Sequence, residues 1–289
     1  MAMIDRQARD LPLDAHLHTD LSPDSDVPID RYAEQAAERG IAEFAVTDHV
    51  DFDPTAPAYA FTTFAQRERS VREAADRWAD RGVAIRFGVE ITWDGRWADD
   101  IRAHLARHPY DFVIGSVHVY ADSPYAAANV RGWVTGRSLA EIVRPYFEEV
   151  EAGARSGLFD AMGHIDFVKR YLAGHVDTAE ISGSPELYEP ILTALVETGT
   201  ALEINTSGLR QEARETYPGP AIVQRYVDQG GRAITVGSDA HRADAFAYAL
   251  DEGYRAMEAA GVPEVTFRRG ASRHLLVEAA PNAAAGHSL

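Results

Sequence analysis

The sequence predicts an α/β barrel built from consecutive strand and helix units, and three observations carry that expectation. Short β-like runs alternate with helix-like stretches along nearly the whole chain, with no low-complexity linker or internal repeat before the Ala-rich tail after Pro281. The 289 residues, 46% of them hydrophobic, can bury a sizeable core, and one barrel of roughly 250 residues would use nearly all of them. Seven expected strands each finish in a polar side chain of metal-binding or orienting type, whereas the helices rarely carry such residues. In a parallel barrel the C-terminal strand ends share one mouth, so groups scattered from His16 to His241 would meet in one pocket. We therefore expect a single domain over residues 1–280 and a disordered tail over 281–289.

The first strand carries Leu13-Asp14-Ala15-His16-Leu17-His18-Thr19, and alternation puts His16 and His18 on one face, two imidazoles converging on one point. Such a pair also occurs on ordinary strands, so it gains meaning only from the polar residues at the later strand ends. Pro28-Ile29-Asp30 opens a helix whose apolar positions Ile29, Tyr32, Ala33, Ala36 and Ala37 recur at helical spacing until Gly40 stops it. Ile41 to Thr47 is the second strand. After a loop through Pro54 and Pro57, Thr62 or Thr63 caps a long charged helix to Arg81, with Gly82 at its end. Strand three, Val83 to Val89, delivers Glu90, and a helix from Trp97 to Arg107 ends before Pro109. Phe112 to Val117 is strand four, delivering His118; Ser138-Leu-Ala-Glu141 is a capping box for a helix to about Arg155, with Gly157 after it. Strand five delivers His164 and Asp166. Ser184-Pro185 caps another helix, Ala201 to Ile204 is strand six with Asn205 at its end, and Pro218-Gly-Pro220 starts a helix closed by Gly230-Gly231. Strand seven, Ala233 to Val236, delivers Asp239 and His241. Glu264 to Arg269 and His274 to Glu278 look extended but end in no obvious ligand, which suits a trailing edge element better than an eighth unit.

Composition excludes several classes of partner. With 45 acidic against 28 basic side chains the formal charge is -17, which leaves no broad positive surface for a nucleic acid backbone. The chain has no cysteine, so any metal must be held by His, Asp and Glu, which suits hard or borderline divalent ions. The N-terminal MAMIDRQARDLP lacks an apolar h-region, and no apolar run approaches the ~18 residues of a membrane span. A cytoplasmic protein without a membrane partner is expected, and nothing in the sequence speaks to its oligomeric state.

Taken in order, Asp14-Ala-His16-Leu-His18-Thr19 with Ser22-Pro-Asp24-Ser25, Thr47-Asp48-His49, Gly88-Val-Glu90, Gly115-Ser-Val-His118, Gly163-His164-Ile-Asp166 and Gly237-Ser-Asp239-Ala-His241 form a specific set. It resembles the motifs of the polymerase-and-histidinol-phosphatase (PHP) superfamily of phosphoesterases, over nearly the whole chain. Within it, the length and the runs Gly-Ser-Val-His, His-Ile-Asp-Phe-Val-Lys-Arg-Tyr and Glu-Ile-Asn-Thr-Ser-Gly are most similar to monofunctional histidinol-phosphatases. The resemblance implies a distorted (β/α)7, TIM-like barrel with three divalent metal ions (Zn, Fe or Mn) at the C-terminal strand ends. Carried over residue by residue, His16, His18, Glu90 and Asp239 would hold the first ion. Glu90, bridging, would join His118 and His164 on the second, and His49, His241 and Asp24 would hold the third. Many family members carry His where Asp24 stands, and Asp20, Asp26 or Ser22 could serve the same site. A carboxylate there favours Mn²⁺ or Fe²⁺ over Zn²⁺. Glu90, Asp239 and His241 are the expected catalytic groups, and Arg170, Asn205 and His118 the expected substrate contacts. Asp14 and Asp48 are expected to hold ligand imidazoles in one tautomer, with Asp166 and Asn205 as further pocket groups or simple caps of the following turns.

Three divalent ions outweigh the carboxylates Asp24, Glu90 and Asp239, so the centre complements a phosphate monoester dianion. A bridging hydroxide formed from metal-bound water near pH 7 would be the nucleophile, and no side-chain nucleophile is needed. The expected reaction is hydrolysis of a small-molecule phosphate ester, L-histidinol phosphate first, with a nucleotide or another small ester as the alternative. A rival of another class is an inactive metal-binding module, which the apparently intact ligand set opposes. A C–N hydrolase of the amidohydrolase type often bridges its metals with a carboxylated lysine after strand four; here the only lysine is Lys169, beyond strand five. Arg170 leaves strand five at the barrel mouth, where its planar fork of donors suits a phosphate clamp; the alternative is an arginine paired with one of the many acids. His104 and His108 have helical zinc-pair spacing but no third ligand nearby, and His175, His274 and His287 lie outside the pattern. Trp93, Trp97 and Trp133 offer an aromatic wall for a ring-bearing substrate, or ordinary packing.

Overall fold

The computed structural model describes residues 13–118, 130–263, 265–269 and 274–277; the expected tail, 281–289, lies outside them. Its elements follow the order β1 (Leu13–Leu17), α1 (Ile29–Arg39), β2 (Glu43–Val46), β3 (His49–Val50), α2 (Phe64–Ala79), β4 (Ala84–Thr92), α3 (Ala98–Arg107) and β5 (Phe112–Ser116). Next come α4 (Val130–Val134), α5 (Leu139–Ser156), β6 (Ala161–Met162), α6 (Val168–Leu172), α7 (Thr178–Ser182), α8 (Pro185–Thr198), β7 (Ala201–Asn205), α9 (Pro220–Asp228), β8 (Ile234–Gly237), α10 (Leu250–Ala259), β9 (Phe267–Arg269) and β10 (His274–Val277).

The main sheet is parallel in the order β1-β2-β4-β5-β6-β7-β8, with β3 also laid against β4. Beyond β8 the chain returns to β1: the Asp239 amide donates to the His16 carbonyl at 2.8 Å and the His18 amide to the Ala240 carbonyl at 2.8 Å. The sheet thus rolls into a barrel of seven main strands with the helices around it, and every strand end faces one mouth. Buried on both faces, the strands read as continuous apolar runs, and Leu13, Phe44, Val46, Phe87, Phe112, Ile114, Leu202, Ile204 and Val236 are all at most 1% exposed. Each such side chain contributes roughly 1.5–3 kcal/mol through the apolar surface it removes from water.

Local signals explain the helix boundaries. Thr63 and Ser138 each close a capping box, with Gln66 and Glu141 respectively, and α1, α5 and α8 end at Gly40, Gly157 and Gly199 in the left-handed conformation. Ser184 departs from expectation: its hydroxyl donates back to the Glu180 carbonyl, and α8 starts instead on Pro185 at its first turn. The two late extended segments, β9 and β10, pair antiparallel with each other as a separate ribbon and do not extend the barrel sheet as an edge. No helix among the described residues is long and apolar enough to cross a membrane.

Candidate metal centre

All nine side chains that the sequence marks as ligands come together at the barrel mouth, in groups whose donor atoms lie within 4.8 Å of one another. Strand alternation aims the Nε2 atoms of His16 and His18 at one point, 3.1 Å apart. Glu90 Oε2 stands 3.3 Å from each of them, and Asp239 Oδ1 lies at 3.8 and 3.5 Å. Donors bound tetrahedrally at 2.0–2.1 Å stand about 3.3 Å apart, so this quartet has the edges of a metal polyhedron. The other oxygen of Glu90, Oε1, faces His164 Nε2 at 2.9 Å and His118 Nε2 at 3.5 Å. Asp24 Oδ2 sits 3.1 Å from His49 Nε2 and 3.0 Å from His241 Nε2. Ser22 donates to Asp24 Oδ1 at 2.9 Å and so orients the ligand instead of replacing it, while Asp20 and Asp26 join none of the groups.

The donor chemistry fits divalent cations. Glu90 Oε2 is buried, and nitrogens of His16, His18 and His49 surround it at 3.0–3.3 Å. Imidazole nitrogens and carboxylate oxygens that converge this closely are what a cation between them requires. Burial opposes the charge on Glu90 and Asp239, but the imidazoles around them, His16 foremost, outweigh it and hold both carboxyls well below their usual range. Burial likewise opposes protonation of His16 and His49, yet the carboxylates Glu203 and Glu90 beside the first, and Glu90 and Asp24 beside the second, carry both well above the ordinary imidazole value. His18 goes the other way, pushed down by burial and by His241 and His49, and His118 falls to about 3, mainly through burial.

Two ligands sit in strained backbone: His164 has φ 23° and Asp239 φ 53°, a region that non-glycine residues adopt at a cost of order 1–3 kcal/mol. The Asp239 conformation is held from both sides. Arg210 donates to the carbonyls of Ser238 and Asp239 at 2.7 and 2.6 Å, and Asp14 accepts from the Ser238 amide and hydroxyl at 2.8 and 2.6 Å. Asp14 therefore clamps the Asp239 turn and holds no imidazole, contrary to expectation. Asp48 also departs from its expected role, since it accepts from the Thr19 amide and hydroxyl at 2.6 and 2.8 Å and fixes the chain after His18.

Glu203 takes that orienting role instead. Its Oε1 lies 2.6 Å from His16 Nδ1, and its Oε2 accepts from the His164 amide at 2.9 Å. The available signal was a carboxylate at the middle of an otherwise apolar strand, two residues before Asn205 and hence on the same face. Asn205 itself is fully buried, donating to Glu203 at 3.1 Å and Asp239 at 3.4 Å while it accepts from the Ser207 amide. It is absent from the cavity lining and instead caps the turn after β7, the second of its two expected roles, while propping Asp239 from beneath. Asp166 is corrected similarly: fully buried, it pairs with Lys169 Nζ at 2.5 Å and accepts from Tyr188 at 2.9 Å, facing α8 and not the pocket.

Over the centre opens a cavity of about 790 Å³ with Asp24, His49, His118, Asp239 and His241 in its lining. Arg170 lines it too, its guanidinium 5.1 Å from the Phe167 ring centre, with no carboxylate paired to it among the described residues. Of the three tryptophans only Trp97 reaches the cavity; Trp93 packs edge-on against Phe159 and Trp133 donates to the Ile142 carbonyl. His104 is committed to Tyr110 at 2.9 Å and His108 stacks on Phe64, so neither belongs to the centre.

The sequence model of the PHP domain matches residues 14–207, about two thirds of the chain and all but two of the nine donors. The chain belongs to the PHP domain family. A probable histidinol-phosphatase of Deinococcus radiodurans is 30% identical over 88% of this chain and 96% of its own length. The histidinol-phosphatase of Lactococcus lactis is 26% identical over 79% of this chain and 84% of its own. The solved Lactococcus lactis histidinol phosphate phosphatase, complexed with Zn, L-histidinol and phosphate, superposes with a TM-score of 0.78 at 25% identity, covering 89% of this chain and 96% of that one. This PHP barrel thus shares its architecture with that enzyme over most of both chains.

Proposed function

We infer that this PHP protein is a metal-dependent phosphomonoesterase that hydrolyses L-histidinol phosphate to L-histidinol and phosphate, a step of histidine biosynthesis. The observation that carries the reading is the two-sided Glu90, with Oε2 in the His16, His18 and Asp239 quartet and Oε1 beside His118 and His164, under a cavity that also holds Arg170. The relatives and the zinc-, histidinol- and phosphate-bound neighbour support the substrate. Three divalent ions would be held by His16, His18, Glu90 and Asp239, by Glu90, His118 and His164, and by Asp24, His49 and His241, with Zn, Fe or Mn as candidates. When bound, such ions activate water near neutral pH and neutralise charge on a transferring phosphoryl group.

The chain's own residues do the rest. Glu90, Asp239 and His241 would be the catalytic groups, with Asp239 kept in place by Arg210 and Asp14. Arg170 offers parallel donors to phosphate oxygens, and Phe167 beneath its guanidinium fixes the plane of that fork. His118, with Nδ1 3.2 Å from Thr92 Oγ1, presents its Nε2 toward Glu90. The test is a panel of phosphomonoesters assayed with metal-loaded and chelated protein. L-histidinol phosphate is expected to exceed p-nitrophenyl phosphate by about 100-fold or more in kcat/KM, a preference of ~2.7 kcal/mol, and chelation or Glu90→Gln to abolish both activities. A nucleotide or sugar phosphate hydrolysed faster than L-histidinol phosphate would overturn the substrate.

A further inference from the structure

Five carboxylates line the cavity, and four have partners that account for them. Asp24 and Asp239 face the imidazoles of the centre. Asp94 accepts from the backbone and side chain of Arg96, and Asp53 accepts from the Thr55 amide and hydroxyl and pairs with Arg96 at 3.4 Å. Asp51 alone makes no hydrogen bond or ion pair through its side chain among the described residues, and its Oδ1 is fully buried without a partner. The nearby cation, Arg67, gives its two terminal nitrogens to the carbonyls of Asp48 and His49, and although its buried Nε has no hydrogen-bond partner and its charge attracts Asp51, no hydrogen bond or ion pair joins the two side chains. Asp51 as a whole is half-buried at the cavity wall, where a ligand cation can reach its carboxylate.

Its position follows from β3. His49 and Val50 pair in register with Glu90 and Ile91, and Asp51 continues the extended path by a bridge to Tyr59. Two residues beyond His49, Asp51 lies on the same face, roughly 6.6 Å farther along. The cavity is therefore polarised, with phosphate-binding groups at the metal centre and Arg170, and one uncommitted anion a single strand step away. Resting on the phosphomonoesterase reading above, we propose that Asp51 is the specificity residue that takes the ammonium group of an amino-alcohol phosphate. L-histidinol phosphate carries that group two carbons from its ester oxygen, a separation of the right order for one strand step. An ester without the amine leaves Asp51 unpaired in the closed complex, so the same residue that favours the right substrate disfavours the wrong one.

The experiment compares L-histidinol phosphate with its analogue lacking the amino group, 3-(imidazol-4-yl)propyl phosphate, on metal-loaded wild type and Asp51→Asn, with metal content verified. Wild type should prefer the amine. Asp51→Asn should lose about 30-fold or more in kcat/KM on L-histidinol phosphate, in line with removal of one partner of a desolvated charge pair. On the analogue it should lose nothing and gain rate, since the unpaired charge is gone, and Asp51→Glu should restore part of the preference. Calorimetry with L-histidinol alone should show its affinity falling at least tenfold in Asp51→Asn. A preference that survives Asp51→Asn, or equal losses on both esters, overturns the assignment of Asp51 alone. A wild type that turns over p-nitrophenyl phosphate yet shows no preference for the amine overturns the substrate reading and this inference together.

Discussion

Glu203 touches no cavity wall, yet it determines how His16 meets its ion. The 2.6 Å contact fixes the Nδ1 side of the ring, leaving Nε2 free to ligate, and the second oxygen holds the amide of the strained His164. Partners of this kind change metal affinity by about 10–100-fold when altered. Glu203→Gln is expected to weaken the first ion by that amount while the far-UV spectrum stays native, measured by chelator competition; affinity within twofold of wild type would show that Glu203 does not orient His16. Arg170 makes a different expectation, because no acid neutralises it among the described residues and its guanidinium rests on the aromatic face of Phe167. Hydrogen bonds to charged groups are worth about 1.5–3 kcal/mol, so Arg170→Ala should lower kcat/KM on the phosphate ester by ~10–100-fold with metal content unchanged. Arg170→Lys should recover little of it, since an ammonium lacks the planar fork. Both kinetic parameters within twofold of wild type would remove Arg170 from the phosphate site.

Where β8 passes β1, the strands approach too closely for a side chain. A Cβ on Gly237 would stand 2.4 Å from the His16 Cβ and 2.9 Å from Glu203 Oε1, so Gly237→Ala must push His16 off its axis. Overpacking of this kind costs about 1–3 kcal/mol, and we expect that loss in denaturant midpoint together with depleted metal. Stability within ~0.5 kcal/mol and full metal content would mean the strands can part without disturbing the ligand. The same elements show what the sequence could reveal. Helices α1, α2 and α5 were legible because glycine stops, a Thr63 or Ser138 capping box and helical spacing coincide. Helix α10 carries no such start signal: Ala249 precedes it in a left-handed conformation without a side-chain cap, and Gly253 within it, a weak helix former, leaves room for Val236 to pack. Two-residue β3 is too short to show a period, and only the residue type of His49 marks its head in the sequence. All nine donors were visible as a spaced series, but the partners of Asp14, Asp48, Asp166 and Asn205 were not. Whether a polar strand-end side chain turns into the pocket or back toward a neighbouring turn is decided by tertiary contacts between distant segments, such as Asp14 with Ser238.

The whole molecule carries a formal charge of -17, but its centre, once stripped of ions by a chelator, is neutralised from within by protons. Burial works against those protons, yet adjacent carboxylates hold His16 and His49 well above the ordinary imidazole value and His241 above it. An imidazole must shed its proton to bind a metal, so filling the centre releases protons and the apparent affinity rises with pH. The sign for stability runs oppositely in the stripped protein. These three raised histidines stabilise the fold fully below the unfolded value of about 6.5, and that contribution is lost as pH climbs through their folded values. His118, lowered to about 3, does the reverse: its contribution is present above about 6.5 and fades as the pH falls toward 3. Stripped protein should therefore lose stability on alkalinisation from pH 6.5 to 9, while protein saturated with Zn²⁺ or Mn²⁺ gains relative to it, by about 2.7 kcal/mol once free metal exceeds Kd a hundredfold. Thermal scans of both forms across that range, with calorimetric titrations in buffers of different ionisation enthalpy, check the point. We expect net proton release as the centre fills. No proton release, with parallel pH profiles for the two forms, would show that protons do not stand in for the metals at this site.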